Sequence, residues 1–304
     1  MTPKLPNILD YVKEEDLILS SERSHAGLDV PQIITEYGSI KDKFRDDRTS
    51  LPLLLRSLFE AKKSYRKLEV HLTEKKEIDS ETLEELKKYM ISLNILDIGF
   101  TVVPRHFIFK GKGILYPNAI VITMEMEKNK ISTAPSSIAS KEIFRTYKEL
   151  GVIVNKTAKF LKARGYNAQA GPALGGDVSY PMLAEKAGLG CIGKHGLLIT
   201  PSSGPSLRIA AVYTDIENLP YTDHTEHLWI KDFCDSCNLC VKKCPAQAIY
   251  KESKILSDGS KVCIDYKKCA VPFSNDHGCT LCVKSCTFFK GNYDKIKENS
   301  CESI

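Results

Sequence analysis

Two hydrophobic rhythms alternate along the first two thirds of this chain, and both fade after about residue 216. SLPLLLRSLFEAKKSYRKL (50–68) carries an apolar stripe at helical spacing, and SETLEELKKYMISLN (80–94) does the same, opening at Ser80. The stretch 139–164 predicts a long amphipathic helix. Ile143, Tyr147, Leu150, Val154, Ala158 and Leu161 recur there at three- and four-residue intervals. DIGFTVVP (97–104), NAIVITMEM (118–126), GLLITP (196–201) and SLRIAAVYTD (206–215) are short and rich in β-branched residues, which predicts strands. PMLAEKAG (181–188) predicts a short helix, and GYNAQAGPALGGD (165–177) a Gly-rich loop. Residues 1–50 show no sustained period and are expected to form an irregular arm. The alternation reads as α/β, with a smaller unit behind it.

Length supports that division. With 304 residues, 42% of them hydrophobic, the chain can bury a sizeable core and divides most naturally into two domains. The expected boundaries are 1–78 for the arm and first helices, 79–215 for the core and 216–304 for the tail unit. No apolar run approaches the ~20 residues of a membrane span. The opening MTPKLPNILDYVKEEDLIL has neither a basic, apolar leader nor a twin arginine, so a cytoplasmic location is expected.

The cysteines change the picture most. Ten of the eleven follow residue 233, and such clustering without an export signal points to metal rather than disulfides. Cys234-x2-Cys237-x2-Cys240-x3-Cys244-Pro245 has bacterial ferredoxin spacing. Three thiolates from one tight loop cap three corners of a cubane, while the fourth points to the neighbouring cluster. The second run is Cys269-x9-Cys279-x2-Cys282-x3-Cys286. Crossing the fourth ligands assigns Cys234, Cys237, Cys240 and Cys286 to one [4Fe–4S] cluster, and Cys269, Cys279, Cys282 and Cys244 to a second. Cys263 competes with Cys269 for the upstream place, and Cys269 is favoured because its distance to Cys279 allows one compact excursion. Cys263 and Cys301 are then spare thiols. Zinc is the competing reading, but structural zinc sites usually present two separated Cys-x2-Cys pairs. The net charge of +5 falls to about +1 once two such clusters are counted, which removes most of the case for nucleic-acid binding.

GLGCIG (188–193) matches a dinucleotide fingerprint, but such a motif must leave a strand and open a helix. Here it follows a helical stretch and precedes a strand. GLGCIGKH is also one residue short of a phosphate-binding loop, with His195 where Ser or Thr must hold magnesium. A turn lying close to a large flat ligand is the better expectation.

NAIVITMEMEKNKISTAPS (118–136), TYKELG (146–151), RGYNAQAG (164–171), AGLGCIGKHGLLITP (187–201), GPSLRIAAVYTD (204–215) and the two cysteine runs occur in this order. Together they resemble the cobalamin-dependent reductive dehalogenases and, more distantly, the epoxyqueuosine reductases, over roughly residues 80–290. The resemblance implies an α+β protein: a nitroreductase-like α/β core binding base-off corrinoid, followed by a ferredoxin-like domain with two [4Fe–4S] clusters. It implies reductive cleavage of a small molecule, with electrons from a low-potential donor such as ferredoxin or flavodoxin. It places Gly188, Gly190, Gly193, Lys194 and His195 at the cofactor. It also assigns a proton-delivering pair, Tyr147, which precedes Gly165-Tyr166 by about five helical turns, and Arg208 in the GP-x-x-R segment. On pattern alone, Tyr147 reads equally as core packing. A cation beside its hydroxyl would favour the phenolate left after donation. Two alternatives stand beside this reading. One is an electron-transfer protein without a substrate of its own. The other is tRNA modification, against which Asp177 lacks the Pro and Glu-Arg that the epoxyqueuosine signature places after its Asp.

Overall fold

The structure is a computed structural model that describes residues 5–20, 36–38, 48–66, 68, 73–222, 225–257 and 261–301, with backbone alone at Cys301. The expected arm lies partly outside these residues. Within them, β1 (Ile18–Leu19) pairs with β3 (Gly113–Ile114), and Ile8 is fully buried.

Helices α1 (Leu51–Ser64) and α2 (Ser80–Ser92) form where the stripes predict them. Helix α2 starts at Ser80 as expected, and its cap is Asp79. Its carboxylate accepts the Thr82 N–H at 2.8 Å, an anion placed on an otherwise unsatisfied donor. Helix α3 (Ser137–Ala163) starts two residues before the expected stretch, because the Ser136 hydroxyl accepts from Ala139 N and caps it there.

The central sheet has four strands in the order β2 (Ile98–Val102), β4 (Asn118–Glu125), β8 (Leu207–Thr214), β5 (Ala168–Ala170). Every pairing is antiparallel, which accords with the α+β class, although the alternation of elements alone reads as α/β. The cause is burial on both faces. Ile120, Ile122, Ala210 and Val212 pack under α2 and α3, while Ala119, Val121, Ala211 and Tyr213 pack against α4 (Tyr180–Lys186) and the β3 region. A strand covered on both faces reads as a continuous apolar run, the usual mark of a parallel sheet. In β8, Arg208 alone is not fully buried.

Strand β5 lies inside the stretch expected to be a loop. Its Gln169 is fully buried, and its side-chain oxygen accepts the Leu115 N–H at 2.7 Å. A polar residue held inside the protein through one long-range hydrogen bond leaves no apolar signal to read.

Cys191–Ile192 (β6) and Leu198–Ile199 (β7) make a small antiparallel hairpin, so GLGCIG enters a strand, not a helix. The tail begins with α5 (Trp229–Cys237) and α6 (Leu239–Lys243). It continues through β9 (Ile249–Ile255), β10 (Lys261–Ile264), α7 (Tyr266–Asn275), α8 (Leu281–Lys284), α9 (Thr287–Lys290) and α10 (Tyr293–Cys301). The chemistry changes near residue 216, but packing does not. Ile216 and Leu219 still belong to the sheet's core, and Ile230, Val283, Phe288 and Phe289 share a third core with Met126, Ala139, Ile143 and Ile199. Gly204 marks the closest approach. Its φ is +61°, and a Cβ there would stand 2.2 Å from the Phe288 carbonyl oxygen.

Beneath the sheet, the fully buried Asp177 takes the Tyr65 hydroxyl within hydrogen-bond distance of both its oxygens, 2.7 and 2.8 Å. Burial pushes its carboxyl up to about 6, with Lys112 at 3.8 Å opposing.

Two stability predictions follow from this packing. Gly204→Ala adds a strained φ to a clash with backbone, at a cost of about 2–4 kcal/mol. Denaturant unfolding should show it as a lowered midpoint, and an unchanged midpoint would refute the close approach. Because the Asp177 carboxyl is raised by folding, its contribution is full below the unfolded value of 3.8 and is lost as pH rises through about 6. Relative to Asp177→Asn, the unmutated protein should therefore lose about 3 kcal/mol between pH 4 and 7. Parallel stability curves across that range would contradict it.

Candidate functional site

Helix α5 ends at Asn238, whose φ of +53° turns the chain sharply into α6. That single left-handed residue lets Cys234, Cys237 and Cys240 curl around one void. Cys286 closes it from the far end of the tail, and Phe233, Phe288 and His195 complete its wall. Thr280, φ +59°, repeats the device ahead of α8. A β-branched residue rarely adopts this conformation, so its presence here marks a turn imposed by the surroundings.

The remaining thiols form a second group. Burial pushes Cys269 up to about 11, and the neighbouring thiols that add to the shift are Cys279 and Cys244. Cys282 is raised by burial first and then by Cys269 and Cys279. In the first group, burial raises Cys286 to about 12, with Cys234 and Cys240 contributing, and raises Cys240 to about 11, with Cys234 and Cys237 contributing. The two groups are close enough for Cys240 to add to the upward shift of Cys282. The buried Cys263 responds to Lys261 and Glu185 instead, and its Cβ faces Gly196.

The donor sets fit four-iron clusters. Each offers four thiols, and the first surrounds a void. Among the described residues, no three His, Cys, Asp or Glu side chains close on a single-ion position. Thiols held this far from ionisation need strong cationic partners before they serve as thiolates.

The five residues expected at a corrinoid are placed otherwise. Gly188 has φ +73° and ends the turn after α4. At Gly190 a Cβ would lie 2.1 Å from the Ile199 carbonyl oxygen, and at Gly193 2.6 Å from Ile199 Cδ1, so these glycines admit β7 rather than a ligand. The Lys194 ammonium lies 3.0 Å from both Asp235 Oδ1 and Asn238 Oδ1, while its backbone N–H donates to Cys234 Sγ. His195 is 4% exposed, and burial pushes its imidazole down to about 4. Leu197 N–H donates to its Nδ1 at 3.1 Å, and its Nε2 is buried without a partner. The packing of β7 accounts for Gly190 and Gly193 without a ligand. The five residues belong to the hairpin and to the wall of the first void.

Tyr147 and Arg208 do come together. Arg208 Cζ stands 4.9 Å from the Tyr147 ring centroid. The contact is to the ring's face, a cation–π interaction, where sequence reasoning expected a guanidinium at the hydroxyl. Arg208 Nε is buried with no hydrogen-bond partner, so a donor is available beside the phenol. Tyr147 packs against both the sheet's core and the core shared with the tail, which puts the pair on the seam between them.

Sequence reasoning missed the first-void roles of Lys194 and His195, the αL turns at Asn238 and Thr280, and a legible signal for those turns. Cys237-Asn-Leu-Cys240-Val-Lys-Lys-Cys244 and Cys279-Thr-Leu-Cys282-Val-Lys-Ser-Cys286 are identical at six of eight positions, the shared cysteines included.

A family model described as "4Fe-4S binding domain" matches residues 227–250. The chain is 36% identical over 196 residues to a tetrachloroethene reductive dehalogenase of Desulfitobacterium hafniense, covering 60% of this chain and 34% of that one. It is 30% identical over 184 residues to the enzyme of that name from Sulfurospirillum multivorans, covering 58% and 36%. An epoxyqueuosine reductase of Listeria monocytogenes is 32% identical over 127 residues, covering 38% and 31%. Among solved structures, the catabolic reductive dehalogenase NpRdhA superposes with a TM-score of 0.73 at 18% identity, covering 95% of this chain and 45% of that one. This likeness shows a reductive-dehalogenase-like fold. No helix among the described residues is long and apolar enough to cross a membrane. The chain spans about a third of the length of the curated relatives it matches, and across that span it is a homologue of the reductive dehalogenases and epoxyqueuosine reductases, which are oxidoreductases.

Proposed function

We propose that this chain is a cytoplasmic iron–sulfur reductase that cleaves a carbon–halogen or comparable bond in a small molecule. The observation that carries this reading is the seam. Two groups of four thiols lie behind the same core that Tyr147 packs against, and Tyr147 faces a guanidinium with a free buried donor. In this reading Cys234, Cys237, Cys240 and Cys286 hold one [4Fe–4S] cluster, and Cys244, Cys269, Cys279 and Cys282 a second. The clusters, when bound, supply one-electron carriers of low potential. A ferredoxin or flavodoxin is the expected donor, and the doubly covered sheet is the expected nitroreductase-like core.

The chain's own residues handle the proton and the charge. Reductive cleavage leaves a carbanion-like carbon that needs a proton and a leaving anion that needs a donor. Tyr147 Oη supplies the first, and Arg208 Nε–H meets the second. With the guanidinium over its ring, the phenolate left behind is stabilised by a neighbouring cation. A corrinoid is the further cofactor that the resemblance implies, and one of the solved relatives is described as performing B12-dependent dehalogenation.

The test uses anaerobically prepared, cluster-loaded protein with a low-potential reductant and a panel of organohalides, with and without added cobalamin. Halide release is expected, and release only with cobalamin would establish the corrinoid requirement. Tyr147→Phe keeps the ring and its packing and should lower turnover at least about tenfold. Arg208→Ala should add little on top, because residues acting as a unit are not additive. Loaded Tyr147→Phe protein that turns over at the unmutated rate would show that Tyr147 is packing alone. Electron transfer to an acceptor without halide release would favour a carrier protein.

A further inference from the structure

The imidazole of His195 is left unexplained by everything above. It is 96% buried by side-chain surroundings that offer its Nε2 no acceptor, yet it lines the void enclosed by Cys234, Cys237, Cys240 and Cys286. Its tautomer follows from one bond. Leu197 N–H donates to Nδ1 at 3.1 Å, so Nδ1 is the acceptor, and the proton of the neutral ring sits on Nε2. The ring lies close against the hairpin backbone at Gly193. Its Cε1 lies only 3.1 Å from where a Cβ on Gly193 would stand, and Gly193 N–H is engaged by the Leu197 carbonyl oxygen at 3.0 Å. The hairpin β6–β7 thus holds a fixed N–H donor in the wall of a sulfur-lined void. A buried donor without an acceptor costs about 1–3 kcal/mol, and native proteins rarely carry that cost without a use.

We infer that His195 Nε2–H donates a hydrogen bond to a sulfur of the cluster held by Cys234, Cys237, Cys240 and Cys286, and so raises that cluster's reduction potential relative to its partner's. This rests on the thiol grouping proposed above. The physical reason is simple. One-electron reduction adds negative charge to the cluster, much of it on sulfur, and a fixed N–H dipole stabilises the reduced form more than the oxidised one. No proton moves in this step, because His195 keeps its own. Lys194 adds to the same effect from next door, its backbone N–H donating to Cys234 Sγ. The second group has backbone donors of its own, Leu281 on Cys279, Val283 on Cys282 and Ala248 N–H on Cys244 Sγ at 3.3 Å, so the inequality rests on the imidazole N–H that His195 adds to the first void. Two chemically alike clusters would then be unequal by construction. The cluster nearer the hairpin fills first, which sets the direction of electron flow between them. His195 is a positioning residue in this account, since it acts through the cluster.

The experiment is a redox titration of the full, cluster-loaded chain followed by EPR, with iron and sulfide measured first. His195→Phe keeps the ring volume and removes the donor. At a fixed potential it should shift the reduced-to-oxidised ratio of one cluster about tenfold toward oxidised, which is ~59 mV for a one-electron couple, and leave the other cluster unmoved. His195→Gln returns an N–H donor and should recover part of the shift. In the unmutated protein, 15N-histidine labelling should give a hyperfine coupling to the reduced cluster that His195→Gln abolishes. Loaded His195→Phe protein with both potentials unchanged, or no histidine coupling in the loaded unmutated protein, would overturn the inference. If Cys234→Ser and Cys286→Ser leave iron content and both clusters intact, the thiol grouping itself is wrong, and the inference falls with it.

Discussion

One crossing thiol organises this molecule. Cys286 lies 42 residues after Cys244, yet it lines the void of Cys234, Cys237 and Cys240. For it to reach there, α8 must lie against α6, and Phe288 and Phe289 must follow Cys286 into the core beneath α3 and the β6–β7 hairpin. The aromatic group around Trp229, formed by Phe233, Phe288 and Tyr293, then seals the outer side. A small cysteine-rich tail cannot bury enough apolar surface to stand alone, so it borrows a core from the sheet-bearing part. The Gly204–Phe288 approach is where the two are pressed closest. Fold stability and metal-ligand geometry are therefore one problem here.

The antiparallel sheet serves that arrangement by staying rigid and apolar on both faces. The exception within β8 is instructive. Arg208 interrupts an otherwise buried strand and spends its charge on the face of Tyr147 from the neighbouring helix. A charge at that depth demands compensation, and a π face supplies only part of it, since Nε remains unpaired. Stability alone would favour an apolar residue between Leu207 and Ile209. The cost is understandable if Arg208 has a further partner to bind.

Much of this was legible in the residues. The long stripe from Ile143 to Leu161 and the β-branched run from Asn118 were readable because burial repeats with the period of the element. The cysteine spacing was readable because a tight loop leaves few ways to wrap one cluster. Strand direction was not, because two covering layers erase the alternation that marks a half-exposed antiparallel strand. Strand β5 was hidden by Gln169, whose partner Leu115 is 54 residues away. The glycines of GLGCIG were read as room for a ligand, whereas the backbone of β7 fills the space beside Gly190. A glycine reports close approach without naming what approaches. For the same reason, His195 was readable as a site residue but not as part of the first void's wall, which depends on where the tail folds back.

The central claim is that two interleaved four-thiol sites, neighbours through Cys240 and Cys282, each hold a four-iron cluster. EPR of the fully reduced, loaded protein tests it most directly. Two adjacent four-iron clusters, each carrying one unpaired spin, should integrate to two spins per chain with a signal broadened by their mutual coupling. A single uncoupled spin, or stoichiometric zinc in place of iron, would contradict the account.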